Sequence, residues 1–139
     1  MGRIIKGKIC QSEERFVMRY NSVLDLHTHT VASGHAYCSL REMAKAASEK
    51  GLEVLGITEH APSMPGTCHK FYFNNLKVVP REMYGIQLLL GSEVNILDAQ
   101  GTVDLEEKTL SNMDVVIASL HTPCMKPASR QENTESYLN

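Results

Sequence analysis

Four near-continuous apolar runs punctuate the chain, and each ends in polar residues capable of chemistry: "SVLDLHTH" over 22–29, "LEVLGITEH" over 52–60, "GIQLLLGSEVNIL" over 85–97 and "DVVIASLH" over 114–121. Runs of this length and composition predict strands covered on both faces, as in a parallel sheet. Between the first two, Leu40, Met43, Ala44 and Ala47 recur at helical spacing. Ser39 with Glu42 supplies a capping box ahead of that stripe, and Gly51 a stop after it. Strand, helix, strand predicts a right-handed βαβ unit.

The other connections are less regular. Residues 61–84 open with "APSMPG", pass the aromatic patch "FYF" and reach Pro80 before "REMYG", which predicts a long loop closed by a short helix. "NILDAQGTVDL" predicts a hairpin around Gly101, and "EEKTLSNM" a short helix into the fourth strand. "ENTESYLN" reads as a first helical turn capped by Asn133 or Thr134.

Composition narrows the class. A chain of 139 residues with 42% hydrophobic content suits one core, not two. The net charge of −2, with dispersed Lys and Arg, leaves no footprint for nucleic acid or an anionic membrane. No run of about 18 apolar residues provides a membrane span. Cys10, Cys38, Cys68 and Cys124 form no CxxC pair, so reduced thiols in a cytoplasmic protein are expected. A small molecule is the expected partner.

The strand ends carry the chemistry. His27 and His29 close the first run, His60 the second, Glu93 lies in the third, and His121 closes the fourth, at intervals of 33, 33 and 28 residues from His27 onward. Each interval is about one β/α unit, so in a parallel sheet these side chains converge at one rim. Strand alternation puts His27 and His29 on one side, and Asp25 two residues deeper on that side, placed to orient an imidazole. Imidazole with carboxylate suits zinc, manganese or iron. His35, in the following loop, stands evenly between ligand and loop residue. His69 is a weaker candidate for substrate or metal contact and Arg81 for substrate contact as a phosphate binder, while Glu59 and Lys77 read as surface charges and the aromatic patch as core cover.

The segments "DLHTHTVASGHAYCSL", "GITEHAP", "GSEVNIL" and "IASLHTP", in this order, closely resemble the PHP (polymerase and histidinol phosphatase) metallohydrolases, in particular the zinc-dependent bacterial phosphatase branch. The resemblance spans residues 18–139 and leaves 1–17 as an N-terminal extension. It implies an α/β fold comprising the N-terminal portion, about four β/α units, of a distorted seven-stranded TIM-like barrel. It also implies up to three divalent ions, one held by His27, His29 and Glu93, a second by Glu93 and His121, a third by His35 and His60. The family pattern continues with further strands bearing another His and an Asp-x-His pair, so the chain resembles a truncated member in which each ion lacks a ligand.

The resemblance implies hydrolysis of a small phosphorylated substrate, with Glu93 as the central bridging carboxylate. An amidohydrolase-type carbon substrate is the rival within this fold class, disfavoured because that scheme commonly bridges its ions with a modified Lys. The alternative is a catalytically inactive fragment that binds metal or a partner. An open half barrel would expose an unpaired edge, which predicts self-association or cover by a separate C-terminal half.

Overall fold

The computed structural model of the protein describes residues 21–125 and 128–139, so the expected extension over 1–17 lies outside the described residues. Each apolar run forms a strand: β1 is Leu24–Thr28, β2 Val54–His60, β4 Ile86–Asn95 and β5 Val115–Ser119. A two-residue strand, β3 (Glu82–Met83), precedes β4. β2 and β4 run parallel at the centre, β1 lies parallel outside β2, and β5 lies parallel to the second half of β4. This is the curled, mainly parallel α/β sheet expected of a partial TIM-like barrel.

The capped stripe after the first strand is helix α1, Leu40–Glu49. The Ser39 hydroxyl accepts from the Glu42 N–H while the Glu42 carboxylate accepts from the Ser39 N–H. Both interactions satisfy donors that a helix start leaves free. Ala44 and Ala47 then pack against Leu55, Ile57, Leu88 and Leu90, with Phe73 and Leu76 closing the same core.

Three local expectations change. The aromatic patch is helical: α2 spans Lys70–Asn75 and buries Phe73. "REMYG" is no helix, because Tyr84 and Gly85 both take positive φ, 53° and 77°, the two-residue turn that joins β3 antiparallel to β4. The last helix, α4 (Arg130–Leu138), is capped by Ser129 with Glu132, several residues before Asn133 or Thr134. The hairpin around Gly101 appears as a single antiparallel bridge between Ile96 and Val103. The short helix α3, Glu107–Leu110, leads into β5 as expected. No helix among the described residues is long and apolar enough to cross a membrane.

Two glycines let the sheet curl. A Cβ at Gly56 would collide with the Leu26 backbone, and one at Gly91 with the carbonyl of Val115. Neighbouring strands thus cross where a side chain has no room.

Candidate metal centre

The register determines which side chains meet. His60 pairs with Glu93 across β2 and β4, and Glu93 with Ile117 across β4 and β5. Alternation sends Leu55 and Ile57 to the helix-covered face, and Thr58 and His60 to the other. Asp25 pairs with Leu55 but Thr28 with Ile57, so β1 holds one extra residue, a bulge. Asp25 and Thr28 therefore share the helix side, and His27 and His29 turn to the His60 side.

Glu93, only 4% exposed, is the hub of this rim. Its Oε2 lies 3.2 Å from His27 Nε2, 3.3 Å from His29 Nε2 and 2.9 Å from His60 Nδ1, and its Oε1 lies 3.3 Å from His121 Nε2. The His35 ring centroid is 4.6 Å from that of His60 and 5.3 Å from that of His29. The loop carrying His35 is held by Gly34 (φ 77°), whose absent Cβ leaves space for the Gly66 carbonyl. Among the described residues, three groups have donor atoms close enough to share an ion: His29, His35 and His60; His27, His29 and Glu93; His60, Glu93 and His121.

The donor set fits divalent ions. His60 Nδ1 and Glu93 Oε2 are close, yet neither has a hydrogen-bond partner although both are buried. Their contact has the distance of a hydrogen bond without its alignment. A buried pair left so is what a cation between imidazole and carboxylate would satisfy. Burial lowers the His60 pKa to about 4, against the opposing pull of Glu93, and burial likewise lowers that of His29. Both rings are thus neutral at pH 7, the state that coordinates metal. Burial acts to raise the Glu93 pKa, but the neighbouring Ser119, His27 and His60 side chains more than offset it and hold it below the usual value.

Hydrogen bonds behind the rim fix the imidazoles. Asn95, fully buried, donates through Nδ2 to Asp104 (2.6 Å) and to the Ala61 carbonyl (3.1 Å). Its Oδ1 is therefore the atom that meets His121 Nδ1 at 2.8 Å. His121 must carry its proton on Nδ1 and present a bare Nε2 to Glu93. Asp104 also accepts from the Asn95 and Ser63 N–H groups, and the Cys124 thiol donates to Asn95 Oδ1. On the other side, Ser33 Oγ lies 3.0 Å from His29 Nδ1 and accepts from the His60 N–H.

Six expected ligands, His27, His29, His35, His60, Glu93 and His121, thus come together. Three other expected site residues do not. Asp25 is exposed, on the far side of the bulge, and its carboxylate accepts from the His27 N–H instead of an imidazole. His69 caps α2, its Nδ1 accepting from the Phe71 N–H. Arg81 sits near the opposite end of β4, where its Nε meets Asp114 at 2.7 Å and its Nη1 donates to the Leu76 and Val79 carbonyls. Glu59 departs furthest from its reading as a surface charge, being wholly buried.

A mainly parallel α/β sheet that gathers four imidazoles around one buried carboxylate, with a fifth beside two of them, defines a candidate metal centre. The chain matches the PHP domain family over residues 25–139, and it belongs to that family. It is 57% identical over 122 residues to a protein of Clostridium novyi named as a probable phosphatase, a match covering 88% of this chain and 49% of that protein. Proteins with the same name from Clostridium botulinum (52%, again 88% and 49%) and Caldanaerobacter subterraneus (48%, 88% and 48%) are similar. The chain spans about half the length of the curated relatives it matches.

Proposed function

We propose that the chain carries part of a metal-dependent phosphoester hydrolase centre. The observation that carries this reading is the buried Glu93 carboxylate, bracketed by imidazole nitrogens at 2.9 to 3.3 Å. The relatives named as probable phosphatases supply the reaction class. His27 and His29 with Glu93 would hold one ion, and His60 and His121 with Glu93 a second. His35 would help to hold a third by sharing His29 or His60. Zinc suits these donors, as do manganese and iron.

Bound divalent ions would supply Lewis acidity toward a phosphoryl oxygen and an attacking water. The chain's own residues do the rest. Glu93 spaces and partly neutralises two ion positions, and Ser33 and Asn95 hold the His29 and His121 imidazoles by their far nitrogens. The substrate class is a small phosphorylated molecule in the cytoplasm.

The test is hydrolysis of p-nitrophenyl phosphate by the purified chain with zinc or manganese, with and without chelator. Turnover that the chelator abolishes is expected. Turnover indifferent to the chelator overturns the proposal. A second reading, metal binding or partner binding without turnover, is favoured by the openness of strands β1 and β5, where Leu24 is 47% and Val116 42% exposed. It would show as bound metal with no hydrolysis until a C-terminal half or a second copy covers those strands.

A further inference from the structure

Glu59 is the buried acidic side chain that the metal centre leaves without a task. It precedes His60 on β2, faces the other way by strand alternation, and belongs to none of the three ligand groups. Side chains of this kind are seldom buried without a full set of donors. Here the donors are complete and unevenly divided. Oε1 takes the Thr30 hydroxyl and, at 3.4 Å, the Tyr72 hydroxyl. Oε2 takes the Ser33 hydroxyl. The Thr30 N–H lies between the two oxygens at 3.2 and 3.1 Å.

That division determines a proton elsewhere. A serine hydroxyl has one proton to give and two lone pairs to receive with. Ser33 gives its proton to Glu59 and receives the His60 N–H at 3.1 Å. One lone pair remains, and His29 Nδ1 faces it at 3.0 Å. His29 Nδ1 must therefore be the protonated nitrogen, which leaves Nε2 bare toward Glu93. We propose that Glu59 is a positioning residue of the metal centre, acting through Ser33 to hold His29 in the Nδ1–H tautomer whose Nε2 can accept a metal ion. The proposal rests on the reading of the rim as a metal centre, but its own observable is independent of bound metal.

Glu59→Gln is the informative change because it keeps volume and shape. The amide oxygen belongs at the Oε1 position, where two hydroxyls and the shared N–H converge, which places the NH2 opposite Ser33. That group donates to Ser33 Oγ, whose own proton must then turn to His29 Nδ1, and the tautomer inverts. Ser33→Ala removes the relay while leaving Glu59 in place.

The experiment is a long-range proton–nitrogen correlation spectrum of histidine side chains in the metal-free full chain at pH 7.5, with His29 assigned through a His29→Gln variant. The expected result is Nδ1–H in the wild type and Nε2–H in both variants, accompanied by roughly 10- to 100-fold weaker zinc binding. An Nε2–H wild type, or Nδ1–H retained in a folded variant, overturns the proposal. If backbone spectra show that Glu59→Gln does not fold, Ser33→Ala decides. A wild type that binds no zinc would instead defeat the metal reading, and the tautomer would still report on Glu59.

Discussion

Replacing Glu93 with Gln should collapse metal binding while barely changing the size of the side chain. Two of the three candidate ligand groups pass through this carboxylate, and only His29, His35 and His60 do without it. Glu93 is 4% exposed, so its charge acts in a poorly screened setting. Removing one charged partner from a buried pair costs about 3–5 kcal/mol, which is roughly two to nearly four powers of ten in affinity. The metal-free chain should tolerate the change better, since Oε2 has no hydrogen bond there to lose. The assay is zinc titration against a competing chelator dye, paired with thermal melts in excess chelator. A Glu93→Gln variant that keeps the wild-type number of ions at wild-type affinity would refute the assignment of Glu93 as the bridge.

Further outcomes follow from the same geometry. Asp104→Ala frees the Asn95 amide to turn, so the ion bound through His121 should weaken by about 10- to 100-fold in the same titration, and unchanged affinity would count against the Asn95 relay. In the metal-free chain the His60 pKa, about 4 when folded, lies below its ordinary value of 6.5. The unfolded chain therefore binds more protons between those values, and melting temperature in chelator should fall as pH drops from 7 to 5; a flat or rising profile would contradict the burial of neutral His60. Gly91→Ala forces a methyl into the Val115 carbonyl and should cost at least about 1–3 kcal/mol, read by denaturant titration, whereas an unaffected midpoint would mean that β4 and β5 do not cross so closely.

The parts of the fold that were legible in the sequence are those with a period. Four apolar runs announced β1, β2, β4 and β5, and their recurrence at the length of a β/α unit brought His27, His29, His60, Glu93 and His121 to one rim. Ser39 and Glu42 likewise announced α1, because a capping box is a local pattern. What the sequence concealed depends on contacts across space or on a count of one. The single extra residue in β1 turns Asp25 away from the histidines, and alternation cannot reveal a bulge without the partner strand. Glu59 resembled a surface charge because its donors come from Thr30, Ser33 and Tyr72, two of them about thirty residues upstream. Asn95 and Asp104 were passed over for the same reason: neither has a pattern until His121 is brought alongside. The helix α2 was hidden by its cap, a histidine in a place where Ser, Thr, Asn or Asp is usual.

The His35 loop lies between these cases. Sequence position alone left it evenly balanced, and the resemblance to the PHP family tipped it toward the metal centre. The structure brings its ring to 4.6 Å from that of His60 because Gly34 lets two loops touch.

The central claim is that this rim holds metal through Glu93 and the surrounding histidines. The most direct measurement is elemental analysis of the purified chain after dialysis against a weak chelator, which counts zinc, manganese and iron per folded molecule. The account predicts at least two tightly held ions in the wild type, given five imidazoles and both Glu93 oxygens as donors, and a loss of most of that metal in Glu93→Gln. A folded chain that retains no metal, or one whose metal content is unchanged by Glu93→Gln, would contradict it.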